Sequence, residues 1–209
     1  MNYKYLNMEE YKRKQHFEYF NSLSYPYVGL TVDVDITDFI KGVKAKRLPF
    51  FSPFAIVCQK QQIVCPNSGR EYGMIKIIEF DNCKTSHTVA LEDGTYCYCT
   101  LDSRMSFSDF IPYAEREQEA ARKKSEQSVK KRMQYLIKYL FPHCPGFLTP
   151  LLFSRYRFLQ TAIQRITWGR YVERGHKTVM PVSALCHHGL VDGMHIAGFI
   201  NRWTGRFWK

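Results

Sequence analysis

The 209-residue chain is 45% hydrophobic and 15% aromatic, enough apolar side chain for one sizeable core and too much for a disordered polypeptide. Its formal net charge of +11 points towards phosphate-bearing partners, yet residues 129–165 hold seven Lys or Arg and no Asp or Glu, leaving +4 elsewhere; no nucleic-acid partner is expected from so local an excess. No stretch approaches the roughly 18 uncharged apolar residues of a membrane span, and the opening Met1 to Glu10 lacks an apolar leader segment, so no membrane partner and a cytoplasmic location are expected.

In chain order, Met8 to Phe20 carries apolar or aromatic residues at a loose helical spacing. Tyr27 to Ile36 alternates Val28, Leu30, Val32, Val34 and Ile36, which predicts a strand, and Thr37 is expected to cap a short helix bearing Phe39, Ile40 and Val43. Residues 73–101 read as successive strands, with Asp93-Gly94 as a hairpin turn between Thr88–Leu91 and Thr95–Cys99. Ser106 to Gln127 is helix-like and densely charged, most simply a helix with one solvated face.

Thr178 to Leu185 is a further strand, in which Pro181 predicts an edge or a bulge. It feeds His187-His188-Gly189-Leu190-Val191-Asp192-Gly193, after which Ile196, Phe199 and Ile200 recur at helical spacing behind an Asp192 cap. Strands and helices interleave, with hairpins among them, which predicts a single α/β layered domain. The seven cysteines form an odd set without a CxxC pair, so free thiols are expected rather than a disulfide framework or a zinc site.

Of these segments, the His-His loop carries the chemistry. Attack of a hydroxyl on a thioester needs a base to take the proton and donors to hold the oxyanion, and it needs no metal. A histidine at a strand-to-helix turn has the titration range for that base. Asp192, four residues on, falls across the same turn, and Gly189 and Gly193 stand where bulk would hinder it. By itself this spacing fits equally a base with its supporting carboxylate, or a plain helix cap beside a loop histidine.

His-His, three residues, Asp-Gly, one residue, His resembles the signature of the chloramphenicol acetyltransferase family, in which the second histidine, here His188, is the base. Arg13-Lys14-Gln15-His16-Phe17 resembles the family's N-terminal basic element and runs without a gap into a second one, Val34-Asp35-Ile36-Thr37. The resemblance implies an Arg13–Asp192 ion pair that shapes the loop. Ile166-Thr167-Trp168-Gly169-Arg170-Tyr171 resembles the segment before the active-site strand. It implies that Thr167 assists the tetrahedral intermediate and that Arg170 and Tyr171 lie along a coenzyme A channel. Tyr19, Phe20, Thr88 and Tyr96 inherit contacts to the acceptor. The implied fold is a two-layer α/β sandwich with a mixed sheet, the implied co-substrate is acetyl-CoA without a metal, and the implied assembly is a homotrimer with sites between subunits.

Residues 59–75 and 128–165 match the family poorly. Where the family carries a Ser-x-x-Pro-Trp element whose serine holds the oxyanion, this chain reads Pro142-His143-Cys144-Pro145-Gly146. Permitted codons for Phe141 to Leu151, read one base out of frame, spell S-T-L-P-W-L-S-Y-T-A, and Gln59 to Lys76 behaves similarly. The two stretches are therefore expected to be out-of-frame translations, the alternative being a homologue with a remodelled acceptor region. Together these features predict acetyl transfer from acetyl-CoA to chloramphenicol or a similar small acceptor. The alternatives are the acyltransferase core of 2-oxoacid dehydrogenase complexes, which shares the His-x-x-x-Asp-Gly loop, and an impaired homologue serving as a binding or structural protein.

Overall fold

The valine-rich alternation after Tyr27 forms the long strand β2 (Tyr27–Asp35), and its partner is β10 (Lys177–His187). The two run antiparallel over nine residue pairs, from Val179 opposite Asp35 to His187 opposite Tyr27. The computed structural model describes residues 3–60, 67–71, 74–80, 84–102, 104–125, 139–141 and 165–201. Its other elements are β1 (Tyr3–Tyr5), α1 (Lys14–Ser22), α2 (Thr37–Ala45), α3 (Phe51–Lys60), β3 (Asn67–Glu71), β4 (Met74–Phe80), β5 (Thr85–Ala90), β6 (Tyr96–Leu101), α4 (Phe107–Ser125), β7 (Tyr139–Phe141), β8 (Arg165–Trp168), β9 (Val172–Arg174) and α5 (Gly193–Asn201).

The strands form an antiparallel β1-β4-β3 sheet and a larger sheet in the order β2-β10-β8-β7-β5-β6, with β9 also on β10. The larger sheet is mixed: β7 runs parallel to both β5 and β8, and its other pairs are antiparallel. The chain is thus an α/β protein, as its interleaved pattern predicts.

Side-chain alternation gives this sheet a helix-covered face. Val34 of β2, Ile166 and Trp168 of β8, and Met180, Val182, Ala184 and Cys186 of β10 bury against Phe17, Phe39, Ile40, Phe54, Ile196 and Phe199 from α1, α2, α3 and α5. Val89, Cys97, Cys99 and Leu101 do the same against Phe110, Ile111 and Ala114 of α4. Thr31, Thr167 and Ser183, which are not buried, alternate to the opposite face, where Thr31 Oγ1 and Ser183 Oγ lie 2.7 Å apart. Leu140 pairs with both Ser86 and Arg165, so Thr88 and Thr167, each two residues further along parallel strands, stand at the same level on that face.

Two local expectations are corrected. Helix α1 starts at Lys14 rather than Met8; Met8 and Tyr11 instead pack on the core from the turns before it. Thr37 does not cap α2. The Asp35 carboxylate accepts the Thr37 amide and hydroxyl at 3.0 and 2.6 Å, while the Thr37 hydroxyl accepts the Thr178 amide and ties the helix start to β10.

Pro181 is not at an edge, because β10 has neighbours on both sides, but it does face a bulge: between the Val182–Trp168 and Val179–Val172 pairs β10 has two residues and the facing chain three. Its carbonyl accepts the Gly169 amide, and a residue's two backbone polar groups point the same way in a strand, so the missing N–H falls at the break between β9 and β8. The β2 ladder loses nothing. The Asp93-Gly94 hairpin forms as expected, with Gly94 at φ 80 and the Thr95 amide on the Asp93 carboxylate.

Candidate active site

His188 follows the last residue of β10 and is held at every polar atom except one. Its backbone amide donates to Pro26 O at 2.7 Å, and Arg13 Nη2 donates to its carbonyl at 3.4 Å. Its ring stacks on Phe20, with centroids 3.9 Å apart and planes 15° from parallel. Nδ1 lies 3.2 Å from Val191 O. A carbonyl only accepts, so this bond places the proton on Nδ1 and leaves the lone pair on Nε2.

Asp192 works on both sides. One oxygen accepts Arg13 Nη1 at 2.6 Å, an ion pair that closes α1 onto the loop. The other accepts the amides of Met194 and His195 and the His195 ring Nδ1, the last at 2.6 Å, and so caps α5. Burial opposes the charge on Asp192, but the hydrogen bonds from His195 and Arg13 outweigh it and hold the carboxyl well below the usual carboxylate range. The carboxylate is therefore committed to architecture. Sequence reasoning assigned His195 no role; the signal was its position three residues after a cap, where a side chain can reach back.

Helix α1 supplies these contacts from one stripe. Arg13, at its N-cap, Phe17 and Phe20 are spaced four and three residues apart, and meet Asp192, His187 and His188 respectively. Gly189 is required by close approach: a Cβ there would come 2.8 Å from Phe17 Cα. Gly193 is different. A Cβ there would meet nothing within 4 Å, so the expectation that it relieves crowding is corrected.

Tyr19 is 61% exposed and packs edge-on against Phe20, so both lie beside His188. The remaining expected residues lie elsewhere in the chain. Thr167 and Thr88 stand on the open sheet face, and Tyr96 is exposed at the start of β6. Arg170 is exposed, and Tyr171 stacks on Phe50 at 5.8 Å. Among the described residues, no hydrogen bond, ion pair or ring contact joins these five to His188. Pro142 to Gly146 lie outside the described residues. Among the described residues no group of three or more His, Cys, Asp or Glu side chains is placed to hold a metal, and no helix is long and apolar enough to cross a membrane. Cys97, Cys99 and Cys186 are buried, with no disulfide among the described residues.

Solved structures of similar fold include two acetyltransferases. A chloramphenicol acetyltransferase superposes over the whole of both chains with a TM-score of 0.77 at 18% identity. A dihydrolipoamide acetyltransferase of Azotobacter vinelandii superposes over 90% of this chain and 83% of that one, with a TM-score of 0.62 at 16% identity. At these identities the likenesses show a shared fold. The chloramphenicol acetyltransferase family model matches residues 1–142, two thirds of the sequence, and the chain belongs to that family. A relative from a Klebsiella species is 22% identical over 204 residues, covering 95% of this chain and 91% of the relative, and one from Clostridium perfringens is 22% identical over 223 residues, covering 96% and 93%. Both relatives are chloramphenicol acetyltransferases.

Proposed function

We propose that the protein transfers the acetyl group of acetyl-CoA to a hydroxyl of chloramphenicol or a similar small acceptor, by direct attack in a ternary complex. The observation that carries this reading is the Nδ1 bond to Val191 O, which commits one ring nitrogen of His188 and leaves Nε2 free to take a proton. As the acceptor oxygen bonds to the acetyl carbon, its proton passes to Nε2; the carbon–sulfur bond then breaks and the proton returns to the coenzyme thiolate. Phe20 fixes the ring plane and Tyr19 extends the apolar wall towards the acceptor. Arg13 and Asp192 hold the loop and take no proton.

Thr167 assists the oxyanion through a hydroxyl on the open face, and Thr88 and Tyr96 contact the acceptor. Arg170 and Tyr171 suit a coenzyme bearing phosphates and an adenine ring: an exposed guanidinium for the first and an exposed ring for the second. Within one chain the residues proposed for the acceptor and its proton fall into two groups, the His188 loop with α1 and the open sheet face, while Tyr171 packs on Phe50. Such a division suits a site completed between subunits of a homotrimer, where one subunit's His188 faces another's Thr167.

Release of coenzyme A thiol, followed with and without chloramphenicol, tests the reading. Acceptor-dependent release supports it, lipoamide-dependent release transfers the protein to the activity named for the Azotobacter structure, and no release with either acceptor leaves a binding or structural role. Replacement of the family serine element by Pro142 to Gly146 lowers the expected rate, since loss of one oxyanion donor costs about a hundredfold to a thousandfold.

A further inference from the structure

His187 has no part in that mechanism, yet it is 1% exposed, directly precedes the proposed base and is a ring with two polar nitrogens. Its Nδ1 accepts the Gly189 amide at 3.2 Å, which places the ring proton on Nε2. Nε2 is buried without a hydrogen-bond partner among the described residues, between Phe17 and Tyr27, whose ring centroids are 5.7 and 6.1 Å away. Burying such a group costs free energy. Leucine would fill similar space without the penalty.

The amide that His187 accepts belongs to the peptide unit whose carbonyl accepts Arg13 Nη2. This one peptide plane, between His188 and Gly189, is therefore gripped at both ends. Its orientation fixes the backbone course from His188 to Val191, and with it the point where the Val191 carbonyl meets the His188 ring.

We infer that His187 is a positioning residue: its unprotonated Nδ1 clamps the His188–Gly189 peptide and thereby sets the tautomer and direction of the His188 imidazole. The inference rests on His188 being the base. Burial supports it, since it pushes the His187 pKa down to about 4 and keeps Nδ1 an acceptor at neutral pH. Phe17 and Tyr27 from α1 and β2 face the ring with no charge, and His188 is the titratable neighbour on its own strand that opposes protonation.

Two variants test it. His187→Leu keeps the volume and removes the acceptor; kcat is expected to fall about a hundredfold with KM for acetyl-CoA and chloramphenicol within about threefold, the scale of a small misplacement of a reacting group. His187→Asn offers Oδ1 near the place of Nδ1 and is expected to recover most of that loss. Nitrogen-15 shifts of the His188 ring, assigned by their absence in His188→Gln, give a readout independent of turnover. They are expected to report one tautomer in the wild type and His187→Asn, and a mixture in His187→Leu. His188 shifts unmoved in His187→Leu, or a kcat within twofold of wild type, overturn the proposal, as does a His187→Asn enzyme no better than His187→Leu. Activity retained in His188→Ala removes the base reading alone and leaves the shift experiment standing, so the two failures are told apart.

Discussion

Three residues separate His188 from Asp192, and the chain between them turns so that the first keeps a ring nitrogen without a partner among the described residues while the second spends both oxygens on anchoring. Loss of acetyl transfer in His188→Ala is expected to be about a hundredfold to ten-thousandfold, the range for a general base, with the circular dichroism spectrum retained. Asp192 belongs to stability instead. Its folded pKa lies below the ordinary 3.8, so its stabilisation is present above that value and disappears as pH falls through the folded pKa. The Tm gap between wild type and Asp192→Asn is expected to be constant from pH 5 to 8 and to narrow below about pH 4.

His187 acts in the same direction at a higher pH. Between pH 6.5 and about 4 the unfolded chain takes up a proton that the folded chain refuses, so stability rises with pH there and levels off above. The difference is on the order of 3 kcal/mol, and calorimetry of His187→Asn should show that slope removed. The ring's place in the signature was visible in the sequence. Its hydrogen bond to Gly189 was not, because that depends on which way a peptide plane faces.

At the level of the elements, the pattern of Val28, Leu30, Val32 and Val34 was enough to locate β2, although Leu30 is 42% exposed and only Val34 of the four is buried, and Ile196, Phe199 and Ile200, all buried, were enough for α5. Boundaries set by side-chain hydrogen bonds were less legible: Thr37 reads as a cap, and only the course of β10 shows its hydroxyl serving Thr178. The two loop glycines, alike in sequence, separate on contact. Gly189→Ala is expected to cost about 1–3 kcal/mol and to reduce turnover, because its methyl group would meet the backbone of α1 at 2.8 Å. Gly193→Ala is expected to stay within about 1 kcal/mol of wild type, on the stabilising side. Chemical denaturation of both variants checks the contrast.

For the molecule as a whole, the sequence made the α/β class and the Arg13–Asp192 pair accessible, the second through a family resemblance and not through spacing, since the two residues are 179 positions apart. It was less informative about Thr88 and Thr167, whose shared level depends on the parallel register around β7. If the open face carrying them meets another copy, sedimentation should give three times the 24.7 kDa chain mass, and a bulky charge there, as in Thr31→Arg, should release monomers and abolish turnover together. A monomeric wild type with full activity would refute the shared site.

Helix α1 is nine residues long and Phe17 is its one buried side chain, yet every contact it makes with the loop comes from a single stripe. A segment so lightly moored opens at lower free energy than the sheet beneath it. Undocking would release the guanidinium, the packing on His187 and the platform under His188 in one event. Under rising urea, catalysis should therefore fail at a lower concentration than the β-sheet signal: the catalyst would go quiet while most of its scaffold still stands.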